Sequence, residues 1–162
     1  MQLCPWWNSP HITRTMNQIQ FNGICEAAAR ALHVDPSKQD GRYSLSVDEI
    51  EILMDFDDAE DTNALYFYID LGETSPHERA EVCEQLLQLN LRAHGTLRGA
   101  YAFDTGSSRA IFCGELRDGE ALDGEFVAEM LRFHLDETRT AREVVGLRAS
   151  TGEGVLLTSA LA

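Results

Sequence analysis

The sequence predicts an α+β fold, in which helices pack against an antiparallel, twisted sheet in the order α-β-β-β-α-β-β-α. Apolar residues recur every three or four positions in three long segments, which is typical of helices with one apolar face. Apolar and polar residues alternate in five short segments, which is typical of strands with one buried face. The strands are grouped between the helices instead of alternating with them, which favours the α+β class.

The first helix is predicted over residues 16–34. Its apolar face consists of Phe21, Ile24, Cys25, Ala28, Ala31 and Leu32. Gly23 either weakens this helix, by up to about 1 kcal/mol relative to alanine, or allows another backbone to approach closely. Residues 1–15 show no period and are predicted to be an arm, unless Met16 is the natural start. The turn residues DPSKQDG follow the helix.

Three strands are predicted next, at 43–48, 49–56 and 65–71, with a hairpin loop, DDAEDTN, between the last two. The run 48–61 contains eight carboxylates and no basic residue. It lacks the glycine and one ligand position of a calcium-binding EF-hand loop. A solvated strand edge and loop is therefore the favoured interpretation, and a weak cation site is the alternative.

The second helix is predicted to start at SPHE, where Ser75 can cap, Pro76 fits the first helical position and Glu78 can complete a capping box. Two adjacent apolar stripes follow, and Gly95 is placed to end the helix. Strands at 99–104 and 109–116 are joined by TGSS. A third helix is predicted over 120–144, and residues 146–162 are predicted to be a mobile tail.

Composition excludes several classes of protein. The chain has 162 residues, 44% of them hydrophobic, which suffices for one domain with a sizeable core. Its 13 basic and 27 acidic residues give a formal charge of −14, which disfavours binding to nucleic acids or anionic membranes. The four cysteines include no close pair, which indicates a reducing compartment, and there is no signal-peptide pattern. No apolar run approaches the roughly 20 residues of a membrane span.

No catalytic residue, metal ligand or cofactor motif can be assigned. The five histidines are dispersed, and His134 on an apolar helix face is predicted to be a packed residue with one nitrogen satisfied. The segment TGEG lacks the lysine and the preceding strand of a phosphate-binding loop. Trp6 and Trp7 either anchor a partner, pack on the domain or belong to an extension. The second helix carries more apolar surface than a monomer of this size needs, which favours self-association over a merely well-filled core.

Several segments in this order resemble class I type III secretion chaperones, the Tir-chaperone-like group. YSLSVDEIEILMDFD is similar to the first two strands of the family, and LYFYIDLGE to its third strand. LLQLNL is similar to its Leu-Leu-x-x-Asn-Leu helix segment, and GAYAFDTGSSRAIFCGEL to its final hairpin. The resemblance covers residues 16–145, which are predicted to be the secretion-chaperone domain.

The resemblance implies a non-enzymatic homodimer in the bacterial cytosol, without a cofactor, that binds the extended N-terminal segment of a secreted effector and keeps it competent for secretion. The implied dimer contacts are Leu86, Leu89, Tyr101, Phe103 and Ile111. The implied effector contacts are Ile24, Leu45, Val47 and Ile52. An error of one residue in the strands would exchange the two faces of the sheet. Asn90 is expected either to bond to backbone near the dimer helix or to cap a fraying turn.

Two alternatives belong to other classes. One is a small acidic ligand-binding or regulatory enzyme domain of the same α+β build. The other is a component of a larger assembly that uses an open edge of the sheet for a permanent partner.

Overall fold

A computed structural model describes residues 16–56, 64–93, 98–117 and 122–146. The helices span Gln18–Leu32 (α1), Arg79–Ala93 (α2), Gly124–Glu137 (α3) and residues 139–146 (α4). The strands span Ser37–Gln39 (β1), Arg42–Val47 (β2), Ile50–Asp55 (β3), Ala64–Glu73 (β4), Gly99–Asp104 (β5) and Arg109–Arg117 (β6). None of the described helices is long and apolar enough to cross a membrane.

The six strands form one antiparallel sheet in the order β1-β2-β3-β4-β6-β5. The predicted α+β class and element order are thus confirmed, with one strand added. The prediction missed β1, whose three residues show no apolar alternation. This strand forms because Asp40 and Gly41 both have positive φ, 50° and 83°, the backbone of a two-residue type I′ hairpin turn. The sheet therefore begins at β1 and ends at β5.

The core lies between one face of the sheet and helices α1 and α3. Residues at alternate positions of β2, β3, β4 and β6 point into it and are buried. Phe67 and Phe112 at its centre are fully buried, with ring centroids 6.2 Å apart. Gly114 makes room for Phe67, because a Cβ at position 114 would lie 2.1 Å from the phenyl ring. The opposite face of the sheet carries half-buried residues and is called the open face below.

Helix α1 starts at a capping box that the sequence prediction did not identify. The Asn17 side chain accepts from the Gln20 backbone N–H, and the Gln20 side chain accepts from the Asn17 backbone N–H, both at 3.0 Å. The helix ends at His33, which adopts the left-handed conformation, φ 60°. The capping residues explain why α1 is shorter at both ends than the predicted range of 16–34.

The other two predicted helices need correction at their ends. The Ser75 hydroxyl donates to the Glu78 carboxylate at 2.6 Å, so residues 75–78 form a turn and α2 begins at Arg79. The third predicted helix is divided at Thr138 into α3 and α4. The predicted arm at 1–15, the loop at 57–63, the helix stop at Gly95 and the tail beyond residue 146 lie outside the described residues.

Candidate protein-binding surfaces

Three of the four predicted effector contacts point into the core. Leu45 and Ile52 are fully buried and lie opposite each other in the β2–β3 pairing, and Val47 is 9% exposed. Within one protomer the core already surrounds these side chains, and their contact with a partner stays a prediction. Ile24 on α1 is half-buried at the margin of the core.

The five predicted dimer contacts do not form one surface. Leu86 and Tyr101 are buried, at 3% and 7% exposure, and Leu89 and Phe103 pack against the core from its margin. Ile111 lies on the open face of the sheet instead. Substitution of Leu86 would therefore affect folding before it could report on an interface.

Helix α2 has an exposed apolar pair that the sequence prediction did not select. Leu87 is 68% exposed and Leu91, one turn later, is 81% exposed, so both project from the same side of the helix. Together they are called the α2 face. Their four-residue spacing is visible in the sequence. However, Leu86 and Leu89 show a similar spacing, so the sequence does not indicate which stripe faces the core.

Asn90 joins α2 to the outermost strand β5. Its Oδ1 accepts a hydrogen bond from the Tyr101 backbone N–H at 2.7 Å, and its Nδ2 donates to the Tyr101 carbonyl at 3.0 Å. The expected contact of Asn90 with backbone is confirmed. The Tyr101 ring packs edge-on against Phe112 at 5.2 Å, and burial raises the pKa of its hydroxyl.

The other end of the sheet is an exposed edge beside α1. All three residues of β1 are exposed, and this stretch, Ser37–Gln39, is called the β1 edge. The Gln18 side chain on α1 donates to the Gly41 carbonyl in the adjoining turn at 3.3 Å, and Tyr43 donates to Glu26 at 3.2 Å. These bonds hold the β1–β2 hairpin against α1, where Ile19 is 82% exposed.

The open face contains a groove of about 380 Å³ with an apolar floor that includes Leu53, Tyr68 and Ile111. The Arg109 Nε donates to both Asp70 carboxylate oxygens, at 2.9 and 3.0 Å, and this bonding raises the pKa of the guanidinium. Arg42 and Asp55 in the same groove also form an ion pair, at 2.9 Å, so both of its arginines are paired with carboxylates that line it. Among the described residues, no group of three or more His, Cys, Asp or Glu side chains is placed to hold a metal ion.

The chain belongs to the Tir chaperone protein (CesT) family, whose model matches residues 29–142. This range includes every strand, together with α2, α3 and only the last four residues of α1. A search of curated proteins finds no match.

Solved structures of similar fold include the ExsC–ExsE complex and the HopA1–SchA chaperone–effector complex. The first matches with a TM-score of 0.64 at 15% identity, covering 80% of this chain and 96% of the other. The second matches with a TM-score of 0.56 at 16% identity, covering 78% and 95%. YbjN from E. coli, proposed to be a transcription regulator, also matches, with a TM-score of 0.55 at 14% identity, covering 85% and 93%. At these identities the structures show a shared fold and leave function to other evidence.

Proposed function

We propose that this protein is a class I type III secretion chaperone. It binds the extended N-terminal segment of a secreted effector in the bacterial cytosol, keeps the effector competent for secretion, and catalyses no reaction. Family membership over residues 29–142 is the observation that carries the proposal. The HopA1–SchA structure is described as a chaperone–effector complex, which agrees with it.

The β1 edge and the adjoining side of α1 are the proposed effector site. An extended peptide adds to a sheet edge through main-chain hydrogen bonds and places alternate side chains against apolar neighbours. In a hairpin with a two-residue loop, the residues that flank the loop, Gln39 and Arg42, form a hydrogen-bonded pair. The backbone groups of Lys38, the next residue, therefore point away from β2, and exposed Ile19 on α1 supplies an apolar contact.

Two copies are proposed to associate through the α2 face. This keeps the predicted dimer helix and replaces the predicted Leu86 and Leu89 with Leu87 and Leu91, which project outward. Burial of both leucines contributes about 1.5–3 kcal/mol for each side chain.

Purification from a bacterium that has a type III secretion system tests the function. Tagged protein isolated from the cytosol should carry one dominant larger protein, identified by mass spectrometry. Deletion of the N-terminal segment of that protein should abolish its recovery and its secretion. Recovery of the chain alone, or with only a small molecule, would instead favour the ligand-binding or regulatory domain.

The binding edge is tested by Lys38→Pro, with Lys38→Ala as the matched control. Proline removes the outward N–H of residue 38 and is tolerated on an edge strand whose N–H faces solvent. We expect Lys38→Pro to weaken binding of the effector segment about tenfold, since one main-chain bond is lost. Lys38→Ala keeps that N–H and should bind as the wild type does. Equal affinity of all three proteins in calorimetry would remove β1 from the site.

A further inference from the structure

The two edges of the sheet differ in how their outward backbone groups are satisfied. On β5, the Glu115 N–H donates to the Arg98 carbonyl at 3.3 Å, so residue 98 faces β6. Residues of an antiparallel strand alternate between facing their neighbour and facing away. In this register the backbone N–H and C=O groups of Ala100 and Ala102 point toward β6. Those of Gly99, Tyr101 and Phe103 point away from the sheet.

Tyr101, the middle one of these three residues, already has hydrogen-bond partners for both its backbone N–H and its backbone C=O. Asn90 accepts from the Tyr101 N–H and donates to the Tyr101 carbonyl, the same two bonds that a residue of a further strand would make. The amide offers one donor and one acceptor at a fixed separation, which a leucine or an aspartate cannot reproduce.

Helix α2 holds this amide in place. Val82 and Leu86 anchor the helix in the core, with 0% and 3% exposure. Near the N-terminus of the same helix, the Arg79 guanidinium lies 5.3 Å from the Phe103 ring centroid and donates to the Ser108 hydroxyl at 3.3 Å. Helix α2 thus contacts β5 at a second outward residue, Phe103.

We infer that Asn90 closes the β5 edge of this sheet against pairing with a further strand. Exposed edges with unbonded N–H and C=O groups pair with other chains and promote association. A strand that approached β5 would have to displace two formed hydrogen bonds at its centre. The inference concerns the isolated chain and does not depend on the proposed effector.

The test uses Asn90→Leu in the full chain, with Gln88→Leu as the matched control. Asn90→Leu removes both bonds to Tyr101, whereas Gln88→Leu adds the same apolar side chain at an exposed position of α2. In hydrogen exchange at low protein concentration, the Tyr101 amide of Asn90→Leu should exchange about tenfold faster than in the wild type. That of Gln88→Leu should be unchanged.

Association is measured by light scattering over a concentration series. Asn90→Leu should form assemblies larger than the wild type forms, and at high concentration the Gly99, Tyr101 and Phe103 amides should become protected while those of Ala100 and Ala102 stay unchanged. Asn90→Asp keeps an acceptor for the Tyr101 N–H, so its Tyr101 amide should stay protected from exchange. It should also associate less than Asn90→Leu does, and it can be measured in place of that variant if Asn90→Leu does not fold. An Asn90→Leu variant whose Tyr101 amide exchanges no faster than that of the wild type, or whose assemblies are no larger, would overturn the inference.

Discussion

Two polar residues on helices, Asn90 and His134, have opposite environments although both lie among apolar residues in the sequence. Asn90 makes two backbone hydrogen bonds to β5. Neither ring nitrogen of His134 has a hydrogen-bond partner, and the residue is 1% exposed. Its ring lies 4.9 Å from that of Phe67 and 5.3 Å from that of Phe112. The prediction of one satisfied nitrogen was therefore wrong. The helical period places a residue on the apolar face but cannot indicate whether a polar partner faces it there.

His134 should make the stability of the protein depend on pH. Burial lowers the pKa of His134 from 6.5 to about 4, so the unfolded chain takes up the proton at a higher pH than the folded one does. The contribution of His134 to the free energy of unfolding is complete above about pH 6.5. It decreases by up to about 3 kcal/mol as the pH falls to 4. Urea unfolding should show a loss of about 2 kcal/mol from this residue between pH 7.5 and pH 5.

Substitution isolates this effect from that of the carboxylates, which also titrate. Over the same pH interval, the unfolding free energy of His134→Leu should fall by about 2 kcal/mol less than that of the wild type. His77→Leu, at an exposed turn, should follow the wild type. Identical pH profiles for the wild type and His134→Leu would show that His134 is not the neutral buried group described here.

At the scale of elements, local sequence patterns predicted most of the fold. The periods of three to four and of two residues identified the three main helical segments and five of the six strands, and β5 was predicted with the observed bounds. The patterns failed where turn conformation decides the structure. The short strand β1 depends on the turn at Asp40 and Gly41, and the break at Thr138 follows no glycine or proline.

The turn between β2 and β3 is strained and should be improvable. Asp48 and Glu49 both have positive φ, 50° and 65°, a conformation that costs a residue with a side chain about 1 kcal/mol or more. Glu49→Gly should therefore stabilise the protein by up to about 1 kcal/mol, after the greater entropy loss of glycine is subtracted. Thermal and urea unfolding measure this change.

Glu51→Gly is the matched control, since it makes the same substitution two residues later within β3. Glu51 lies in a regular part of the sheet, where glycine weakens the strand, and its carboxylate accepts from Ser44 at 3.1 Å. Glu51→Gly should destabilise the protein. Equal effects of the two substitutions would mean that the turn conformation at residue 49 carries no strain.

At the scale of the whole molecule, the sequence predicted surplus apolar surface on the second helix but not which of its residues are exposed. A period gives the residues that share a face, and only the packed fold shows whether that face points inward. Hence the predicted contacts Leu45 and Ile52 lie in the core, whereas Leu87 and Leu91 are strongly exposed. The formal charge of −14 per chain opposes association of two copies, so the proposed dimer relies on apolar contact at the α2 face.

The proposed dimer is tested by Leu87→Asp, with Ile19→Asp as the matched control. Both substitutions replace a strongly exposed aliphatic residue on a helix with a carboxylate, and only Leu87 belongs to the α2 face. Because the interface would then contain an unpaired charge, Leu87→Asp should be monomeric at concentrations where the wild type and Ile19→Asp are dimeric. Its unfolding free energy per chain should otherwise change little.

Ionic strength gives an independent measurement of the same association. Salt screens the repulsion between two acidic copies, so raising it from about 0.05 to 0.5 M should tighten the wild-type dimer in sedimentation equilibrium. Leu87→Asp should remain the weaker associator throughout, since its lost apolar contact is not restored by screening. A wild-type protein that stays monomeric over this range would refute self-association, and a Leu87→Asp dimer of wild-type affinity would place the interface elsewhere on the molecule.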